Sequence, residues 1–190
     1  MACAPAPCAW RCGARSKAIS ARTAAELGQV ALSGSADTIP TLSQLLGQVG
    51  GKAALLIEIK SPRRARNHVG ALCLAVKRAT EGYLGPHAIM SFDPRMVRWF
   101  AVHSPMTSRG LVITEENGKT LQGMIKRRLS LWHARPDFLA YDVRDLPSRF
   151  ATAQRKRGLP VLTWTVRSEE LRARAARYAD APIAEGAGVV

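Results

Sequence analysis

Short apolar runs alternate with helical segments along most of this chain, and nothing else in it restricts the fold so tightly. The runs lie at residues 54–60, His87–Phe92, Arg109–Ile113, Phe138–Asp142 and Pro160–Val166, with a last short one around Pro182–Ala184. Between them the apolar spacing turns helical. Val69, Leu72, Cys73 and Val76 share one face of a helix predicted over Arg66–Gly82. Met96, Val97 and Phe100 do so within Pro94–His103, and further helices are expected at Thr120–Arg128, Ser148–Arg157 and Ser168–Tyr178, the last with Ser168 as N-cap. Strands that alternate with helices of about 10–15 residues indicate βα units and a parallel sheet, hence an α/β fold.

The first run carries the most chemistry. In Leu55-Leu-Ile-Glu-Ile-Lys60, strand alternation puts Leu56, Glu58 and Lys60 on one face and Leu55, Ile57 and Ile59 on the other. One face is wholly apolar, and the other becomes charged at its C-terminal end. A parallel strand that opens into a site at its C-terminal end has this gradient; so does an edge strand with a solvated Glu-Lys face. Other strands end similarly, in Ser91 and Asp93, in Tyr141 and Asp142, at Trp164, and before Glu185. A carboxylate beside an ammonium can hold a hard cation and a phosphate oxygen together.

Ahead of the first strand, Thr23 and Glu26 form a capping box for a short helix within Ala18–Leu32. Pro40 is expected to open the next helix at its first turn, with Leu42, Leu45, Leu46 and Val49 as its stripe and Gly50-Gly51 as its stop. Residues 1–17, rich in Pro, Ala and Cys, have no period and are read as a disordered or unrelated tail. They lack the continuous apolar segment of a secretory leader. Cys3, Cys8 and Cys12 have no zinc-site partners at suitable spacing, and Cys73 is expected in the core.

The net charge of +14 favours polyanions or phosphorylated ligands. The cations are scattered, however, in Arg63, Arg64 and Arg66, in Lys126, Arg127 and Arg128, in Arg155, Lys156 and Arg157, and in Arg172, Arg174 and Arg177. No aromatics interleave with them, which disfavours a nucleic-acid surface. No apolar run is long enough to span a membrane. His103 and His133 are read as packing or surface residues, Asp142 and Asp145 as caps, and Glu115-Glu116 as a solvated loop pair.

Seven segments in order resemble the glycerophosphodiester phosphodiesterase family, closest to its bacterial cytosolic type. They are Thr38-Ile-Pro-Thr-Leu42, Leu55-Leu-Ile-Glu-Ile-Lys60, Met90-Ser-Phe-Asp93, Arg109-Gly-Leu111, Pro136-Asp-Phe-Leu-Ala-Tyr-Asp142, Pro160-Val-Leu-Thr-Trp-Thr-Val166 and Tyr178-Ala-Asp-Ala-Pro-Ile183. The resemblance implies a TIM (β/α)8 barrel over residues 18–190. It also implies hydrolysis of a small glycerophosphodiester to sn-glycerol 3-phosphate and an alcohol, with a divalent metal, Ca2+ or Mg2+, in the cytoplasm. It makes Glu58 a metal ligand, Lys60 a phosphate contact and Trp164 an aromatic wall, with Ser91 and Phe92 beside the substrate.

The chain departs from that family in its first part. The family's His-Arg-Gly and Glu-x-Asp strand ends, with the following Glu-Asn and His-Asp, have no counterpart before Glu58. His68, His87, His103 and His133 all follow Glu58 and match no catalytic position, and Arg167 stands where members often have Asn. The expectation is an incomplete barrel of about six βα units, with the first two strands missing. Residues 1–17 stand where roughly 80 residues of a full barrel belong. No catalytic histidine and one metal carboxylate remain, so activity is expected to be impaired. The alternative is a phosphate- or nucleic-acid-binding fragment, or one that self-associates through open barrel edges.

Overall fold

The computed structural model describes residues 21–60, 69–115 and 120–189. The expected tail at 1–17 with Cys3, Cys8 and Cys12 lies outside these residues, as do Arg63, Arg64, Arg66, His68 and Glu116. The chain divides into two compact units, residues 1–50 and 51–190.

The first unit holds two short helices, α1 (Ala24–Leu27) and α2 (Leu42–Val49). Thr23 and Glu26 close the expected capping box on α1. Helix α2 starts later than Pro40. Thr41 is its N-cap, accepting from the Gln44 N–H at 3.2 Å, while the Gln44 side chain accepts from the Thr41 N–H at 2.8 Å. This reciprocal cap satisfies two otherwise orphaned donors, which a proline at the first turn does not do. Gly50 ends the helix at φ 54°, a left-handed position suited to glycine.

The second unit is a six-stranded parallel sheet in sequential order: β1 (Leu55–Glu58), β2 (His87–Ser91), β3 (Ser108–Ile113), β4 (Phe138–Asp142), β5 (Val161–Val166) and β6 (Ala181–Ala184). Helices α3 (Val69–Thr80), α4 (Pro94–His103), α5 (Leu121–Ala134), α6 (Arg149–Lys156) and α7 (Glu169–Tyr178) connect them. Helix α5 continues past Arg128, an extension the sequence leaves open, to Ala134. Ser130 and His133 blur its apolar period, and the chain stops only where Arg135 turns left-handed at φ 50° ahead of Pro136.

Strand alternation sorts the core into two layers. Ile89, Met96, Phe100 and Cys73 pack between the sheet and α3 and α4, while Leu111, Leu139, Val161 and Ala151 pack on the same side farther along. Full burial of each such large side chain contributes about 1.5–3 kcal/mol. The opposite face gathers Leu56, Met90, Val112, Phe138, Ala140, Leu162 and Ile183, drawn from all six strands, into one cluster. Phe92 and Trp164 meet edge-to-face at 5.6 Å on this side. Their strands, β2 and β5, stand three spacings apart, about 14 Å if the sheet were flat. The sheet therefore curls into an incomplete barrel with this cluster on its concave side.

Cys73 lies in the core as expected. Burial, with Asp93 adding to it, pushes its thiol up to about 11. Thiolate is the reactive form, so iodoacetamide will spare Cys73 in the native protein and modify it after denaturation, as read by peptide mass spectrometry.

Candidate functional site at the C-terminal rim

In a parallel barrel the strand C-termini share one rim, and here that rim carries acids and cations in pairs. Glu58 ends β1, and its carboxylate lies 3.9 Å from the Lys60 ammonium. Glu58 is 28% exposed and Lys60 71%, so the lysine is the solvent-facing member. After β2, Asp93 N-caps α4, accepts from the Arg95 N–H at 3.0 Å and pairs with the Arg95 guanidinium at 2.6 Å. After β4, Asp142 treats Arg144 the same way, again at 2.6 Å. After β6, Glu185 pairs with Arg167. Asp142 thus acts as a cap, as its position suggests, and so does Asp93; Asp145 does not, because Ser148 is the N-cap of α6 and the Asp145 carboxylate is taken by Thr114 and Glu115.

The expected site residues fall into three places. Glu58 and Lys60 come together. Phe92 and Trp164 come together across the concave side, and the Trp164 indole N–H donates to the Ala140 carbonyl at 2.9 Å, which fixes the ring. Ser91 is fully buried. Its hydroxyl donates to the Ile59 carbonyl at 2.7 Å and accepts from the Asp93 N–H at 3.1 Å. It ties β2 to the segment carrying Lys60, so its contribution to the rim is positional.

Glu115 overturns its reading as a solvated loop acid. Its side chain is 13% exposed. It accepts from the Tyr141 hydroxyl and from the Ser148 hydroxyl, the latter at 2.7 Å, and lies 3.9 Å from the Arg127 guanidinium. Asp145 closes the cluster, accepting from the Glu115 N–H at 2.5 Å and the Thr114 hydroxyl at 3.1 Å. Burial, then the Glu115 hydrogen bond, pushes the Tyr141 phenol well above its usual range. The hydroxyl partners stand 26 and 33 residues away from Glu115, and Arg127 is a further element away, so no local pattern announces them. Beside this cluster, a cavity of about 290 Å³ is lined by Phe92, Thr114, Lys126, Arg127 and Ser130. Its two cations and two hydroxyls, next to an aromatic ring, suit a small anion; from sequence, Phe92 is read as a site residue and Lys126 and Arg127 only as part of a scattered basic cluster.

The described residues of the rim do not fit a divalent metal. Ca2+ takes about six to eight oxygen ligands, and Mg2+ sits in an octahedron of waters and one or two carboxylates that are free to bind it. Among the described residues no group of three acids, histidines or cysteines converges on one point, and the strand-end acids already face cations. No helix among the described residues is long and apolar enough to cross a membrane.

No family model and no curated protein matches the sequence. Solved structures do match. A glycerophosphodiester phosphodiesterase from Parabacteroides distasonis is 18% identical with a TM-score of 0.70, over 87% of this chain and 68% of that one. The enzyme from Thermotoga maritima is 21% identical with a TM-score of 0.58, over 77% of this chain and 60% of that one. An Oleispira antarctica phosphodiesterase, solved with its product sn-glycerol-3-phosphate, is 18% identical with a TM-score of 0.62 over 78% of this chain. The chain spans 58% of the Oleispira protein's length. At these identities the likeness is one of fold: this chain folds as part of a (β/α)8 barrel similar to those of the phosphodiesterases named.

Proposed function

We propose that this chain recognises glycerophosphodiesters and their product sn-glycerol 3-phosphate at the C-terminal rim, with hydrolysis impaired. The observation that carries this reading is the Glu58–Lys60 pair at the end of β1, in a barrel that superposes on phosphodiesterases, one of them holding that product. The exposed Lys60 ammonium supplies a compact positive charge to phosphate. Phe92 and Trp164 supply a flat apolar wall for the glycerol or alcohol carbons. Glu58 holds the lysine and accepts a hydroxyl. Phosphodiester hydrolysis further needs a proton acceptor for water and a donor for the leaving alcohol. The histidines that serve this in the family have no counterpart in the sequence, and the described acids do not assemble a metal site. Binding with little turnover follows. The reading extends to self-association through β1 and β6, which end the six-stranded sheet among the described residues.

Titration with sn-glycerol 3-phosphate will show saturable binding that weakens about tenfold in Lys60→Ala. Choline release from glycerophosphocholine with added Ca2+ or Mg2+ will stay near the buffer rate. Turnover that Glu58→Ala abolishes would refute the impairment, and the absence of any product binding would refute the site.

A further inference from the structure

Helix α5 turns an apolar face to solvent. Leu121, Met124, Ile125, Leu129 and Trp132 all lie on it, and Leu121, Leu129 and Trp132 are 70%, 60% and 74% exposed. At 100° per residue these five span less than half the helix circumference, with Arg128 in their midst. An exposed stripe of large apolar residues that includes a tryptophan requires an explanation, because water penalises it. The position in the fold deepens the puzzle: α5 lies between β3 and β4, in the middle of the sheet order, away from either edge.

The charges beside the stripe are of one sign. From Thr120 to Pro136 there is no Asp or Glu, while Lys126, Arg127, Arg128 and Arg135 are present. On one flank, α5 and α6 enclose a groove of about 670 Å³ lined by Arg127, Arg128, Arg149 and Arg157 together with Trp132 and Phe150. Four arginines and a single acid, Glu115, line it. Guanidinium forks match phosphate oxygens in pairs.

We propose that the outward face of α5 docks on an anionic phospholipid bilayer. Leu121, Leu129 and Trp132 enter the boundary between headgroups and acyl chains, and the arginines of the α5–α6 groove take lipid phosphates. Tryptophan belongs at that boundary, with its ring among acyl chains and its N–H in the wet layer. A second copy of this chain is the poorer occupant, because face-to-face stacking would bring Arg128 and the groove arginines against their own kind. A bilayer of negative charge complements both the stripe and the groove. The proposal does not rest on the phosphodiester reading, since docking is measured without substrate.

The test is cosedimentation of the full 190-residue chain with phosphatidylcholine vesicles, with and without phosphatidylglycerol. The expected result is binding to the anionic vesicles alone, released by salt. Leu129→Glu combined with Trp132→Glu will abolish it with an unchanged circular dichroism spectrum, since both side chains are exposed. Arg128→Ala will weaken it about fivefold. The proposal is overturned by no binding to anionic vesicles, by equal binding to neutral ones, or by undiminished binding of the double variant. A dimer that the double variant splits, without vesicle binding, would overturn it in favour of a second copy.

Discussion

Replacing Glu115 with alanine will cost about 3 kcal/mol of folding stability in urea titration. The carboxylate is nearly buried and serves three partners, Tyr141, Ser148 and Arg127, from three separate elements. Its loss leaves two hydroxyls and a guanidinium with their solvation forfeited and their shared acceptor gone. Tyr141→Phe removes the hydroxyl that donates to Glu115 and lies 3.1 Å from the Ser148 hydroxyl, but leaves the carboxylate with its other partners, and is expected to cost about 1 kcal/mol. The wild-type protein carries a pH signature of the same network. The Tyr141 phenol is raised in the folded state, so its contribution is intact below the unfolded value of about 10 and is lost as pH rises past it. A Glu115→Ala protein as stable as wild type would show that the network contributes nothing.

Gly110→Ala will have the second largest effect. A Cβ there would sit 2.2 to 2.8 Å from three atoms of the Phe138 ring, which lies across from Gly110 in the β3–β4 register. Phe138 belongs to the concave cluster and is buried, so the ring cannot swing aside without opening that layer. Overpacking of this kind costs about 1–3 kcal/mol. Phe138→Leu alone is expected to destabilise. Combined with Gly110→Ala it will recover part of the loss, so that the two changes together cost less than their sum. Strict additivity would mean that the ring does not decide the glycine.

The strands were readable because burial on both sides of a parallel sheet writes itself as continuous apolar runs, as in Phe138–Asp142, which is buried throughout. Glu58 and Lys60 were readable because charge at a strand end is rare enough to stand out. Glu115 was not, because nothing within several residues of it specifies the partners that bury it. The start of α2 was misplaced because a proline signal near Pro40 competed with the Thr41–Gln44 box, and two side-chain hydrogen bonds outweigh a preset φ. The groove beside α5 escaped notice because Arg127, Arg149 and Arg157 converge only after two helices pack. Cations scattered along the sequence need not be scattered in space.

Each strand pairs only with its neighbour in the chain. Leu55 faces His87, Gly110 faces Phe138 and Leu162 faces Ala181, so every ladder closes over about 20 to 30 residues. Such a sheet carries low contact order for an α/β protein, and it can grow one unit at a time, each strand using the last as its template. The same serial wiring makes the centre hard to open and the ends easy: β4 is buried throughout, whereas β1 is only partly buried and β6 is in part exposed. Local unfolding should therefore run inward from β1 and β6 in steps, and the rim site on β1 lies on one of the first pieces to let go.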